Sequence, residues 1–144
     1  MTPGHIDEAV VRRHLCALHG ALANVERHAG RTAAELRADA DLRWAVERGL
    51  QLCAQNVVDM ATHLCSAAGL DVPDYASAID KLAELAVLPP EFASRFRAVA
   101  GFRNVLVHGY LEVDLDLVQR FLTERLGDFE EFAAHVERYL GTAG

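Results

Sequence analysis

A stripe of apolar and small residues at helical spacing runs through the middle of the chain. Its members recur at intervals of three and four, and they are Val46, Leu50, Cys53, Val57, Ala61, Leu64 and Ala68. Because an α-helix has about 3.6 residues per turn, this spacing predicts one long helix from about Asp39 to Ala68, which Gly69 ends. A helix with one apolar face must be covered by neighbouring elements, so the stripe predicts a helical core.

The same periodicity predicts four further helices. Their approximate ranges are 5–28, 75–87, 90–108 and 115–140. Asp74 or Ser77 is expected to cap the start of the third helix along the chain, and Asp114 the start of the last. No two-residue alternation of Val, Ile or Thr predicts a strand. We therefore expect an all-α fold, a compact up-and-down bundle of four to five helices in which residues 1–144 form a single domain.

Composition limits where such a protein works and what it binds. The chain has 144 residues and a net charge of −7, so a broad basic face for nucleic acid is not expected, and any RNA site must be local. Cys16, Cys53 and Cys65 lie among apolar residues without C-x-x-C spacing, which predicts buried thiols in a reducing compartment. Neither a signal peptide nor an apolar run of about 18 residues is present, so we expect a cytoplasmic protein without a membrane partner.

Polar groups are concentrated at the end of the fourth predicted helix, in the stretch FRNVLVHGY. On a helical wheel Asn104 and His108 are neighbours one turn apart, and Gly101 leaves space beside them. Arg103 falls inside the apolar arc, where a guanidinium cannot be left unpaired. It must pair with a carboxylate such as Glu47, emerge at a subunit interface, or face a ligand phosphate.

The other polar residues of this region have two interpretations each. His108 in the last helical turn is either a capping group or a general acid or phosphate contact. Tyr110 either packs over the helix end or presents a reactive hydroxyl on a turn. Asp59, together with Gln55 and Ser66 on the central helix, forms either a solvated face or a contact to a dimer or other protein partner. The scattered histidines lack ligand spacing, so neither a metal site nor another cofactor is predicted.

The number of candidate catalytic groups in one chain indicates a dimer. Cleavage of RNA through its own 2′-hydroxyl needs a base, an acid and a group that holds the charged phosphorane. One chain offers one histidine and one suitably placed arginine, His108 and Arg103. A two-fold homodimer that apposes two such helices would supply two of each in one cleft.

The segment from Arg103 to Tyr110 resembles the R-x4-H-x-Y motif of the HepT family, within the HEPN superfamily of helical domains. The stretch RWAVERGLQLCAQNVVDMATHL is similar to the long second helix of that family, and GFRNVLVHGYLEVD to the helix that carries its motif. The resemblance covers about residues 5–140, with no departure at the motif positions.

The resemblance implies a toxin of a two-gene toxin–antitoxin module, paired with an MntA-type nucleotidyltransferase antitoxin. It implies a dimeric, metal-independent ribonuclease that cleaves RNA, such as tRNA or mRNA, and leaves a 2′,3′-cyclic phosphate. Arg103 and His108 would be the catalytic pair, Asn104 would support them, and Tyr110 would accept AMP groups from the antitoxin. The alternative is a non-catalytic subunit that presents nucleotide or substrate to a nucleotidyltransferase, which the acidic net charge favours slightly.

Overall fold

The computed structural model describes residues 5–108 and 113–143, and the regular secondary structure in that part of the chain is entirely helical. The helices are α1 (Glu8–Glu26), α2 (Ala33–Ala38), α3 (Ala40–Ala67), α4 (Tyr75–Glu84), α5 (Pro90–Phe96), α6 (Ala98–His108), α7 (Leu115–Arg120) and α8 (Leu126–Ala143). A π-helical turn, Phe121–Arg125, joins α7 to α8 without a break, and only Arg97 separates α5 from α6. The described residues thus form six helical stretches, of which five have seven or more residues, and the all-α bundle predicted from the sequence is confirmed.

Acidic side chains cap the starts of several helices, as the sequence predicts for two of them. Asp74 accepts a hydrogen bond from the backbone N–H of Ser77 at 2.7 Å, so Asp74 is the cap of α4. Asp114 accepts from the backbone N–H groups of Asp116 and Leu117 at the start of α7. The short α2, which the sequence left unassigned, begins with a capping box between Thr32 and Glu35. Local side chains therefore fix where these helices begin.

Helix α3 lies at the centre of the bundle and packs most extensively against α1. The seven residues of its predicted stripe include Val46, Leu50 and Val57, which are fully buried. Gly49 faces α1: a Cβ placed on it would overlap Cγ2 of the buried Val25. The α1–α3 contact therefore depends on the absence of a side chain at residue 49.

The last helical stretch closes the core with aromatic residues. The inward face predicted for it is buried throughout, and its members are Val118, Phe121, Leu122, Phe129, Phe132, Val136 and Leu140. Phe96 of α5 stacks on Phe132 and meets the edge of Phe129. Apolar side chains from all these helices contribute to one core.

Helix ends and thiols differ in part from the sequence-based expectation. Gly69 ends α3 with φ of 77°, as predicted, whereas the helix predicted to reach residue 87 ends at Glu84. Ala86 there has φ of 61°, a left-handed conformation that ends α4.

Cys16 is exposed, so the expectation of three buried thiols was wrong for this residue. No helix in the described ranges is long and apolar enough to span a bilayer.

Candidate active site on α6

The orientation of α6 is fixed by its apolar side. Val99, Ala100 and Phe102 are buried, and the ring of Phe102 stacks on Phe121 of the π-helical turn with centroids 3.8 Å apart and planes 7° from parallel. Arg103 is the next residue after Phe102. The aromatic stack therefore also sets the direction in which the Arg103 side chain leaves the helix.

Arg103 is half-buried and is held by neutral groups. Its Nε donates a hydrogen bond to Oε1 of Gln55 on α3 at 2.8 Å, and one Nη donates to Oδ1 of Asn104 at 3.1 Å. The guanidinium carbon lies 5.1 Å from the ring centroid of Tyr75, at the start of α4. No ion pair joins Arg103 to a carboxylate within residues 5–108 and 113–143, so the suggested pairing with Glu47 was wrong.

The hydrogen bonding continues beyond Gln55. Its amide Nε2 donates to Oδ1 of Asp59 one turn further along α3, at 2.8 Å. Gln55 thus accepts from Arg103 through one side-chain atom and donates to Asp59 through the other. The Asp59 contact fixes which way the Gln55 amide points, because the alternative orientation would place two donors or two acceptors together.

Gln55 and Asp59 are less solvated than the first sequence-based interpretation of this side of α3 expected. Both are half-buried and hydrogen-bonded, with Gln55 directed at α6, and the alternative of a contact to a dimer or other partner stays a prediction. Only Ser66 of that group is exposed. Gln55 is 48 positions from Arg103 in the sequence, so no local pattern could have linked the two.

The remaining motif residues lie on an exposed stripe of α6. Gly101, Asn104 and His108 are exposed, as the helical wheel predicts, and a Cβ on Gly101 would meet no atom of the described chain within 4 Å. Arg97 at the start of this stripe is bound by Asp80 through two hydrogen bonds, of 3.0 and 3.2 Å. The two arginines differ, since Arg97 is paired with a carboxylate, whereas the hydrogen bonds of Arg103 to described residues go to neutral side chains.

His108 is the last residue of α6, and Tyr110 lies outside the described residues. The structure therefore brings Arg103 and Asn104 into direct contact on the helix whose C-terminal end is His108.

The part of the chain that the structure describes gives little support for a metal-dependent reaction or a cysteine nucleophile. It contains no group of three His, Cys, Asp or Glu side chains arranged to hold a metal ion. Burial raises the pKa of the Cys53 thiol to about 12 and also raises the pKa of Cys65, so neither is a ready nucleophile. The uncompensated arginine and the histidine of α6 are the groups suited to binding phosphate and moving a proton.

The chain is similar to known proteins over most of its length. A family model described as Ribonuclease HepT-like matches residues 18–136. An mRNA nuclease HepT from Shewanella oneidensis is 28% identical over 99 residues, which cover 68% of this chain and 74% of the relative. A tRNA nuclease HepT from Aphanizomenon flos-aquae is 30% identical over 98 residues, 67% of this chain and 66% of the relative.

Solved structures show the same fold. A tri-AMPylated HEPN toxin from Shewanella oneidensis, in complex with its MNT antitoxin, superposes with a TM-score of 0.77 at 22% identity. The alignment covers 90% of this chain and 97% of that one. At this level of identity the likeness supports the helical fold.

Proposed function

Because the chain belongs to the family of HepT-like ribonucleases, we propose that it is the endoribonuclease toxin of a toxin–antitoxin module and cleaves RNA with Arg103 and His108. The observation that carries the residue assignment is the way Arg103 is held. Its guanidinium is oriented by Gln55 and Asn104 without being neutralised, so its charge is available to a phosphate. A structural arginine would resemble Arg97, which a carboxylate engages at two atoms.

The proposed reaction uses the 2′-hydroxyl of the RNA itself. That hydroxyl loses its proton as its oxygen bonds to the adjacent phosphorus, the bond from phosphorus to the 5′-oxygen breaks, and the departing oxygen takes up a proton. Arg103 stabilises the negative charge on the non-bridging oxygens, and His108 moves the protons. Asn104 supports Arg103 through their hydrogen bond. The products are a 2′,3′-cyclic phosphate and a 5′-hydroxyl, and no metal is required.

One chain supplies one such histidine, so the proposal includes a two-fold homodimer. Two α6 helices facing each other would place two His108 and two Arg103 side chains in one cleft, and one histidine could act as base while the other acts as acid. Gly101 supports this arrangement: the space beside it is open in the chain, on the same stripe as Asn104 and His108. A second helix can approach closely at a residue without a side chain.

The proposed partner is a nucleotidyltransferase antitoxin of the MntA type, which would act on this chain in the cytoplasm. The relative from Shewanella oneidensis is described as AMPylated and in complex with its antitoxin. We assign Tyr110 as the acceptor here because it follows His108 by two residues. An AMP group at that position would add a phosphodiester charge and a purine close to the cleft and exclude RNA.

Cleavage by the purified chain tests the enzymatic part of the proposal. The wild type should cut RNA in the presence of EDTA and leave cyclic phosphate ends, whereas Arg103→Ala and His108→Ala should abolish cleavage with the fold retained by circular dichroism. Arg97→Ala is the matched control, since it removes a guanidinium from the same helical face and should remain active. Loss of cleavage in EDTA that a divalent metal restores, or an active His108→Ala variant, would show that the mechanism is wrong.

Mass spectrometry tests the modification. Incubation with the nucleotidyltransferase and ATP should add mass in AMP units to the peptide that contains Tyr110, and Tyr110→Phe should remove the label. Tyr139→Phe is the matched control and should be labelled like the wild type. Labelling on another peptide would contradict the assignment.

The second candidate function is a non-catalytic subunit that presents nucleotide or substrate to the nucleotidyltransferase, which the net charge of −7 favours. A growth assay of cells that express the chain distinguishes the ribonuclease toxin from the non-catalytic subunit. Expression of the chain alone should arrest growth, and His108→Ala should relieve the arrest; a non-catalytic subunit would cause no arrest.

A further inference from the structure

A cleft of about 990 Å³ opens on the surface beside the C-terminal half of α6. Its walls are the first half of α3, the end of α2, and the residues that lead into α7. Leu106, one helical turn after Arg103, contributes from α6. The cleft therefore begins close to the proposed active site and extends away from it along α3.

Trp44 is the most unusual residue of this cleft. It is the single tryptophan of the sequence, and it is 74% exposed, more than any other large hydrophobic residue in the described ranges. An exposed apolar side chain alone needs no explanation. An exposed indole in a cleft that arginines line does call for an explanation. Proteins use flat aromatic faces beside arginines to stack the bases of single-stranded nucleic acid.

Three arginines line the cleft with Trp44: Arg37, Arg43 and Arg48. No ion pair or side-chain hydrogen bond joins any of them to another described residue. Five other arginines of the described chain are each paired with a carboxylate, and these are Arg12, Arg31, Arg95, Arg97 and Arg125, whereas Arg13, Arg27 and Arg120 resemble the cleft arginines in having no such pair with a described residue. The guanidiniums of the cleft thus keep their donors available.

The cleft also contains three acids, Glu47, Asp114 and Asp116, so its formal charge balances. Asp114 is engaged as the cap of α7 through two backbone hydrogen bonds. Burial raises the pKa of Glu47, an effect that Arg43 opposes. What favours phosphate here is that the guanidiniums of Arg37, Arg43 and Arg48 have no carboxylate partner among the described residues, in a chain of net charge −7.

The cleft is continuous with the proposed active site along one face of α3. Trp44, Arg48, Gln51 and Gln55 follow each other at steps of four, three and four residues, which places them on a single stripe of the helix. Gln55 at the end of that stripe holds Arg103. At about 1.5 Å per residue, Trp44 and Gln55 are separated by about 16 Å along the axis, a distance that a few nucleotides span.

We propose that this cleft binds the substrate RNA as a single strand on one side of the cleaved bond. Trp44 stacks on a base, and Arg37, Arg43 and Arg48 contact backbone phosphates. A single strand is required because an indole reaches the face of a base only where that base is unstacked from its neighbours. The inference rests on the proposed ribonuclease function and adds the substrate's conformation and its path over the surface.

The single tryptophan makes the proposal directly measurable. A 2′-O-methyl oligoribonucleotide cannot be cleaved through its 2′-oxygen, so it can be titrated against the unmodified protein. Trp44 fluorescence should be quenched in a saturable manner, with the same dissociation constant as that obtained from the anisotropy of a labelled oligonucleotide. Trp44→Leu should weaken binding by about 5- to 100-fold, and Trp44→Tyr should retain most of it. Leu52→Ala is the matched control, since it truncates another exposed apolar residue of α3 and should bind like the wild type.

The charges give a second, independent measurement. Arg48→Ala should weaken binding and lower the slope of log affinity against log salt by about 0.7, the value for one phosphate contact on a single strand. Arg27→Ala removes an exposed guanidinium outside the cleft and should leave the slope unchanged. Glu47→Gln should act in the opposite direction and strengthen binding.

The outcomes separate this inference from the ribonuclease proposal. Anisotropy that reports binding without any change in Trp44 fluorescence would place the RNA elsewhere and overturn the inference, whether or not the wild type cleaves RNA. Dissociation of the protein to monomers on Trp44→Leu, with RNA affinity unchanged, would assign the cleft to a protein interface and also overturn it. Quenching by the oligonucleotide in a chain that cleaves no RNA would support the cleft and contradict the ribonuclease.

Discussion

Arg103 and Gln55 are joined by a hydrogen bond of 2.8 Å between the guanidinium Nε and the side-chain oxygen, across 48 positions of sequence. The partner is uncharged, and this decides what the arginine can do. A carboxylate in the place of Gln55 would hold the guanidinium equally well but would compete with a phosphate for its charge. An amide holds the direction of the side chain and leaves the charge in place.

Substitution of Gln55 should therefore affect activity in two distinguishable ways. Gln55→Ala leaves Arg103 without its support, and a misplaced catalytic group should lower kcat by about 100-fold. Gln55→Glu keeps the shape and adds a charge, so it should also lower kcat and raise KM. It should lower the melting temperature as well, because a carboxylate cannot donate to Asp59 and repels it. Steady-state kinetics and thermal unfolding of both variants test this. A Gln55→Glu variant with wild-type kinetics would show that the neutrality of this partner is irrelevant.

Gly101 should matter to the dimer and not to the fold of one chain. Because a Cβ at this residue meets no described atom, Gly101→Ala should stabilise α6 by up to about 1 kcal/mol through helix propensity. Gly101→Glu should instead prevent two α6 helices from approaching and give a monomer without ribonuclease activity. Light scattering at micromolar concentration, together with the cleavage assay, tests both variants. A fully dimeric Gly101→Glu variant would exclude this stripe from the interface.

Gly49 should not tolerate a side chain, because the space beside it is occupied, whereas the space beside Gly101 is open. Its Cβ would overlap the buried Val25, whose branched side chain has little freedom to move away. Gly49→Ala should lower the free energy of unfolding by about 1–3 kcal/mol, measured by urea denaturation. Gly20→Ala on α1 is the matched control: its Cβ meets nothing, so it should be neutral or stabilising. A stabilised Gly49→Ala variant would mean that α1 and α3 do not pack this closely.

Glu26 predicts a pH dependence of stability. A hydrogen bond with Glu130 on α8, together with burial and repulsion between the two carboxylates, raises the pKa of Glu26. The folded state therefore binds this proton more tightly than the unfolded state, and the stability it contributes is lost as pH rises from the ordinary carboxyl range through the raised pKa. Glu26→Gln should increase the melting temperature at pH 7 and have little effect near about pH 4. A variant that is less stable than the wild type at pH 7 would contradict this.

The sequence predicted the helices better than the surroundings of the site. Periodicity finds the buried stripe of α3, because three- and four-residue steps are a local property of the chain. It placed Arg103 inside the apolar arc, where the residue is half-buried, but it did not predict the partner, Gln55. The single helix predicted from residue 90 to 108 is interrupted at Arg97, where a backbone hydrogen bond from Ala100 to the carbonyl of Arg97 spans three residues. The role of Gln55 depends on how α3 packs against α6, which no local pattern contains.

The π-helical turn Phe121–Arg125 makes one place in the last helical stretch, residues 115–143, tolerant of a change in chain length. A turn of this kind accommodates one residue more than an α-helical turn while the helix on either side keeps its phase. Deletion of one residue within it would restore a regular helix, with Val118 and Phe129 still facing the core. The same deletion further along α8 would rotate every later residue by about 100° and expose Val136 and Leu140. We therefore expect insertions and deletions among related sequences to be concentrated at this turn. Gaps in an alignment are otherwise rare inside a helix.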